Sequence, residues 1–242
     1  DVSFPACTLR DRPLKGTDMP DTTPTDADLN AMDITDAEAR EMNRISHPLV
    51  AGADTDAVSD LVTIESTQDG AVFITINRPD KKNAFDARTI GALYQAFETL
   101  HGADHIRVVF VRGAGGTFSA GADLEEAVAG LAKSDIWERL SGAIAALPGL
   151  SIAALNGTLA GGAMGMALAC DLRIASPATR LGITPAKLGI VYSLFDTKLL
   201  VDLVGPARAR RILFTGALHG ANDALAIGLI DEIAVDPLTA AT

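Results

Sequence analysis

Gly113-Ala-Gly-Gly-Thr-Phe-Ser-Ala-Gly-Ala-Asp123 follows the apolar run Ile106–Arg112, and Asn156-Gly-Thr-Leu-Ala-Gly-Gly-Ala-Met-Gly-Met166 follows Leu150–Leu155. Both stretches share one arrangement. A continuous apolar run, expected of a strand covered on both faces, leads through a glycine-rich turn into helical sequence. Small residues let another group approach the main chain closely. The first turn of a helix leaves N–H groups unpaired, able to face an anion or a polarised carbonyl. Two such turns converging on one oxygen would form an oxyanion hole. Either turn taken alone reads equally well as a tight corner or a close helix contact.

Around these stretches the elements alternate. Leu61–Glu65 and Ala71–Asn77 are β-branched runs separated by Gln68-Asp69-Gly70, a hairpin signal. Asp86 precedes a helical stripe of Ile90, Leu93, Tyr94, Phe97 and Leu100. Helical sequence runs from Asp123 through Leu147, then over Gly162–Ala169, with a strand at Leu172–Ala175. Ser193–Val204 and Pro206–Phe214 read as helices, the second with proline in its first turn. Strands alternating with helices predict an α/β fold for residues 61–242.

Residues 1–60 differ in kind. They hold five of the eleven prolines, and 13 of the 31 acidic residues against 5 of the 20 basic ones. Such a composition cannot bury enough apolar surface to offset chain entropy, so a mostly disordered acidic extension is expected. One short helix near Asp36–Ile45 is predicted from the capping box Thr35-Asp36-Ala37-Glu38. The remainder, with 18 acidic and 15 basic residues, is nearly balanced. No basic stripe points to nucleic acid. The apolar runs are too short and glycine-broken to span a membrane, and no secretory leader is evident. A cytoplasmic protein is the expectation. Cys7 and Cys170 offer neither a disulfide framework nor a zinc site. His47, His101, His105 and His219 fall in the extension or at expected helix ends and turns, without metal-ligand spacing.

Several motifs occur in order: Asn77-Arg-Pro-Asp-Lys-Lys-Asn-Ala-Phe85, Phe118-Ser-Ala-Gly-Ala-Asp-Leu124, Asn156-Gly157 with Gly161-Gly162, and Ala169-Cys-Asp-Leu-Arg-Ile-Ala175. Val204-Gly-Pro-Ala-Arg-Ala-Arg210, Leu213-Phe-Thr-Gly216 and Gly228-Leu-Ile-Asp231 follow. From Leu61 to Ala234 this series resembles the enoyl-CoA hydratase/isomerase, or crotonase, superfamily. The resemblance implies a spiral of ββα units that holds an acyl-coenzyme A thioester, with no cofactor beyond that ligand and no metal. It places the oxyanion-hole amides at Ala122 and Gly162. Ala84, Ala120, Asp123, Leu124 and Gly161 would lie along the coenzyme A moiety. Lys81 and Lys82 would either meet its phosphates or simply solvate a turn.

Two departures qualify the resemblance. Hydratases of this family use two glutamates, and the corresponding positions here are Gly165 and Ala186. Neither supplies an acid or base. Thr184, Tyr192, Ser193 and Asp196 remain near the implied cleft. Thr184 and Tyr192 fall where decarboxylating relatives also carry such residues. Asp196 is either a proton shuttle or a solvent-facing helix residue, and Tyr192 either a participant in the chemistry or part of the cleft wall. Decarboxylation or isomerisation is therefore expected over hydration, with a non-catalytic acyl-CoA binder as the alternative. The second departure is at the C-terminus, eleven residues after Asp231, where family members continue into helices that cap the cleft and help assemble trimers. A homotrimer or hexamer is implied only with those helices present.

Overall fold

The structure, a computed structural model, describes residues 58–103 and 105–242. The predicted extension and its helix at Asp36–Ile45 lie outside the described residues.

After a single helical turn, α1 (Val58–Leu61), the chain enters a six-stranded sheet in the order β1 (Val62–Ser66), β2 (Ala71–Ile76), β3 (Val108–Gly113), β5 (Leu150–Leu155), β7 (Leu172–Ala175), β10 (Glu232–Ile233). Only the β1–β2 hairpin is antiparallel, as the Gln68-Asp69-Gly70 turn requires; the remaining pairs run parallel. Alternation sets the faces. Val72, Ile74 and Ile76 point into the main core, which also takes Ile90, Leu93 and Phe97 from helix α2 (Ala87–Leu100). Phe73 stacks on Phe110 across the opposite face, with ring centroids 5.0 Å apart. There Phe110, Ile152 and Ile174 form a smaller core under Leu238 and Ala241 of helix α9 (Pro237–Ala241).

A second sheet, absent from the sequence reading, has the order β4 (Thr117–Ser119), β6 (Thr158–Ala160), β8 (Arg180–Gly182), β9 (His219–Gly220). Each of its first three strands follows one strand of the large sheet. The chain therefore repeats a unit of long strand, corner, short strand and helical segment, a spiral of ββα units. Successive corners stack on one another. Asn156 donates to the Gly113 and Gly115 carbonyls at 2.8 and 2.6 Å. A Cβ on Gly157 would come within 2.1 Å of the Gly116 carbonyl oxygen, so no side chain fits there.

The remaining helices are α3 (Leu124–Ala129), α4 (Ile136–Ala145), α5 (Met164–Ala169), α6 (Leu194–Val204), α7 (Pro206–Thr215) and α8 (Ala221–Ile227). The expected helix from Asp123 through Leu147 is corrected to α3 and α4 with a short 3-10 turn between them. Gly130 breaks it at φ 126°, a conformation outside the helical region. His219 is likewise corrected: it lies in β9, while His101 follows the last turn of α2. No helix among the described residues is long and apolar enough to cross a membrane.

Asn83 holds the Pro79–Phe85 loop against the first corner. It is fully buried in the left-handed region (φ 54°), accepts from the Arg78 N–H, and donates to the Ala114 and Thr117 carbonyls. Asn83→Ala strands those groups and puts alanine, which tolerates the left-handed region less well than asparagine, at that backbone conformation. It is expected to destabilise the fold by roughly 2–4 kcal/mol, read from the midpoint of urea unfolding.

Candidate functional site

The two glycine-bearing turns meet at the centre of the spiral. In the first, Ser119 donates its hydroxyl to the Asn83 carbonyl at 2.7 Å and accepts from the Gly121 N–H. Phe85 donates its N–H to the Gly121 carbonyl, and the Asp123 N–H donates to the Phe85 carbonyl. These bonds engage the main chain on both sides of Ala122, yet no hydrogen bond among the described residues uses the Ala122 N–H. The second turn carries the Gly162 N–H in the first residues of a 3-10 turn leading into α5. The turns touch through Gly121. A Cβ there would stand 2.8 Å from the Ala160 carbonyl oxygen, and φ is 103°.

A cleft of about 370 Å³ opens beside this contact. Of the residues singled out from sequence, it brings together Ala120, Ala122, Leu124, Gly161, Gly162, Thr184, Tyr192 and Asp196. Lys81, Lys82, Ala84 and Asp123 do not line it. Both lysines are exposed on the Pro79–Phe85 loop, whose Lys82 carbonyl accepts from the Ala120 N–H. The Ala84 carbonyl accepts from Arg78. Arg78 also pairs with Asp123 at 3.1 Å and Asp86 at 3.3 Å. Asp123 further accepts from the Glu125 N–H, so its carboxylate caps α3 rather than facing the cleft.

Three contributors from α4 escaped the sequence reading. The Trp137 ring lies against Gly162, near enough that a Cβ there would meet it at 2.9 Å. The same ring stacks on Phe85 at 6.0 Å and donates its indole N–H to the Leu131 carbonyl. Glu138 accepts from the Leu194 N–H at 3.0 Å, covering the start of α6. Ser141 stands beside the Asp196 carboxyl and favours its charged form. Trp137 follows the helical spacing of Leu140 and Ile144, so its pattern looks like ordinary core; nothing local marks it as a cleft wall.

Asp196 is 1% exposed, which removes the solvent-facing alternative. Ser193 caps α6 and accepts from the Asp196 N–H at 3.0 Å. Burial pushes the Asp196 carboxyl up to about 6; Ser141 and Ser193 oppose that rise, and the Glu138 charge adds to it. One carboxyl oxygen, Oδ1, has no partner, and neither does the Tyr192 hydroxyl. Although the Tyr192 ring is half-buried as a whole, its hydroxyl oxygen is inaccessible. Burial, followed by the Asp196 charge, drives that phenol well above its usual value, so it stays protonated. The cleft is thus lined by Ala122 and Gly162 of the two turns, a carboxyl raised to about 6, and a neutral phenol.

Comparison with known proteins agrees with this architecture. Residues 66–239 match the family described as enoyl-CoA hydratase/isomerase. The chain belongs to that family. It is 36% identical over 166 residues to YngF of Bacillus subtilis, covering 66% of this chain and 64% of that protein. It is 32% identical over 177 residues to the human mitochondrial methylglutaconyl-CoA hydratase, covering 70% of this chain and 52% of that enzyme. The chain therefore spans between half and two thirds of these relatives. Among solved structures, an enoyl-CoA hydratase/isomerase family member superposes with a TM-score of 0.67 at 33% identity, over 72% of this chain and 69% of the other. An enoyl-CoA hydratase of Bacillus anthracis gives 0.67 at 29% identity, over 72% and 70%.

The Asp196 environment has a consequence for stability. The unfolded carboxyl releases its proton near 3.8 and the folded one near 6, so between those values the folded state binds more protons and stability falls as pH rises. Asp196→Asn removes this dependence. From about pH 4 to about pH 6.5, the stability of the variant relative to the parent should rise by roughly 2 kcal/mol, measured by urea unfolding at each pH.

Proposed function

We propose that this chain binds acyl-CoA thioesters and moves a double bond in an enoyl-CoA by a 1,3 proton shift. The observation that carries the reading is the single buried carboxyl, Asp196, in the cleft beside the Ala122 and Gly162 turns. In the proposed reaction, a 3-enoyl thioester places its carbonyl oxygen before the Ala122 and Gly162 N–H groups. Ionised Asp196 takes a proton from C2. The C2–H electron pair enters the conjugated system and charge develops on the thioester oxygen, giving a dienolate held by the two amides. The neutral Asp196 carboxyl then returns the proton to C4, leaving a 2-enoyl thioester and the original carboxylate.

Several features support this reading over its rivals. One carboxyl is both acceptor and donor in turn, and a pKa near the working pH suits both roles. Hydration would need an activated water as well as a proton for the α-carbon, yet Gly165 and Ala186 provide no group for a second role. Decarboxylation would bring the substrate's own carboxylate toward Asp196 and Glu138, which carry like charge. Tyr192, kept neutral, serves as a hydrogen-bond donor rather than a base. Thr184 lies beside Gly161 and would position the second turn. Ala120, Leu124 and Gly161, which line the cleft, would lie along the coenzyme A moiety, and the exposed Lys81 and Lys82 could reach only its phosphates from outside the cleft.

A 3-enoyl-CoA incubated with the purified chain should yield the conjugated 2-enoyl-CoA, followed by ultraviolet absorbance. Asp196→Asn should lower kcat by about 10²–10⁴-fold while thioester binding, measured by calorimetry, persists. Binding with no turnover in the parent chain would indicate the non-catalytic acyl-CoA binder instead.

A further inference from the structure

Position 165 lies in the first turn of α5, buried and facing α6. A β-carbon built there would stand 2.5 Å from Asp196 Oδ2, 2.6 Å from its Cγ and 2.7 Å from its Oδ1. All three distances fall below the closest separation that non-bonded heavy atoms sustain. All three contacts are to one group, the carboxyl. The space that any side chain at 165 would enter is therefore already filled by Asp196, which reaches it from the neighbouring helix.

A carboxyl that yielded to a side chain at 165 would leave its place against α5. It belongs to the third residue of α6, where its N–H is tied to the Ser193 hydroxyl and its side chain stands beside Ser141 and Ser193. Behind it stands Glu138, a like charge fixed by the α6 main chain. Tyr192 lies on the remaining side, its hydroxyl close to Asp196 and to the Gly165 N–H. Helical backbone at 165 accepts alanine at lower intrinsic cost than glycine, so glycine is not there for the helix.

We infer that Gly165 is a positioning residue for the proposed proton transfer: it lacks a side chain so that the Asp196 carboxyl can stand against α5 inside the cleft. This rests on the Asp196 reading above and extends it, making positions 165 and 196 mutually exclusive places for one carboxyl. A carboxyl borne at 165 is compatible with the site only when the one at 196 is gone.

The decisive experiment is a cycle on the full chain: Gly165→Ala, Asp196→Ala and the double variant, followed by Gly165→Glu with and without Asp196→Ala. Gly165→Ala should lower the urea midpoint in the parent and leave it equal or higher when Asp196 is already alanine. In Gly165→Ala the Asp196 carboxyl, observed by carbon-13 NMR, should titrate below its parent value as it is driven toward solvent. On 3-enoyl-CoA, kcat should fall about 10²-fold with KM within a few-fold, as expected for a misplaced group. Gly165→Glu/Asp196→Ala should exceed Gly165→Glu in turnover. Equal destabilisation by Gly165→Ala in both backgrounds, or an unchanged Asp196 titration, overturns the inference. The unfolding and NMR results hold even if no isomerisation is found, so failure of the proposed reaction and failure of the positioning role are read separately. If Gly165→Ala does not fold, folding of Gly165→Ala/Asp196→Ala sustains the exclusion and its failure overturns it.

Discussion

The approach of Gly121 to the Ala160–Gly161 peptide is the contact on which the site depends. Two turns from different repeats of the spiral can offer their amides to one ligand atom only if their backbones lie almost at van der Waals distance. Any β-carbon at 121 would push them apart. That approach is fixed from outside the cleft. Asn156 ties the second corner to the Gly113 and Gly115 carbonyls. Asn83 and Ser119 fasten the first corner to the Pro79–Phe85 loop. The corners are short stretches of irregular chain, but side-chain hydrogen bonds from Asn83, Ser119 and Asn156 tie several of their carbonyls in place. Such preorganisation matters because a donor that must reorient at the moment of reaction gives back much of what it supplies.

Placing a carboxyl in this setting works against stability. An ionised group in a buried cleft with one unpartnered oxygen is penalised, and the rise of Asp196 to about 6 records that penalty. Ser141 and Ser193 relieve part of it. Glu138 increases it, although Glu138 is needed to cover the otherwise open N–H groups at the start of α6. A purely structural arrangement would have no use for two carboxylates so near each other without a cation between them. The balance of these contributions leaves the carboxyl raised to about 6, and groups so shifted in a cleft are concentrated at functional sites.

The fold was largely legible because its long strands are continuous apolar runs bounded by glycine, and because Asp86 and Ser193 announce their helices. Asp86 accepts from the Thr89 N–H and Ser193 from the Asp196 N–H, as helix-start residues do. The second sheet was hidden for a physical reason. Thr117–Ser119, Thr158–Ala160 and Arg180–Gly182 are three residues each, too short for alternation to rise above chance, and their pairing is set by the stacked corners rather than by their own side chains. The break at Gly130 was concealed by helical residues on both sides of it. In the cleft, the turns could be read from glycine spacing and Asp196 could be suspected. What could not be read was that Gly165, apparently a lost functional position, is the space Asp196 fills. Gly165 and Asp196 stand about thirty residues apart, and no sequence signal joins them.

Helix α4 shows why such joining requires the folded chain. Trp137 and Ser141 share one face, a turn apart, and Glu138 lies next to them. From that face the indole closes on Gly162, the hydroxyl reaches Asp196, and the carboxylate meets the first N–H groups of α6. One short helix therefore sets the wall behind a main-chain donor, the charge balance of the carboxyl, and the start of the helix that carries it. A shift of α4 would alter all three together, so the two halves of the site are mechanically coupled through it. This also accounts for the interruption at Gly130: ending α3 there frees α4 to take its own direction, and the Trp137 bond to the Leu131 carbonyl then anchors that new direction to the turn that produced it.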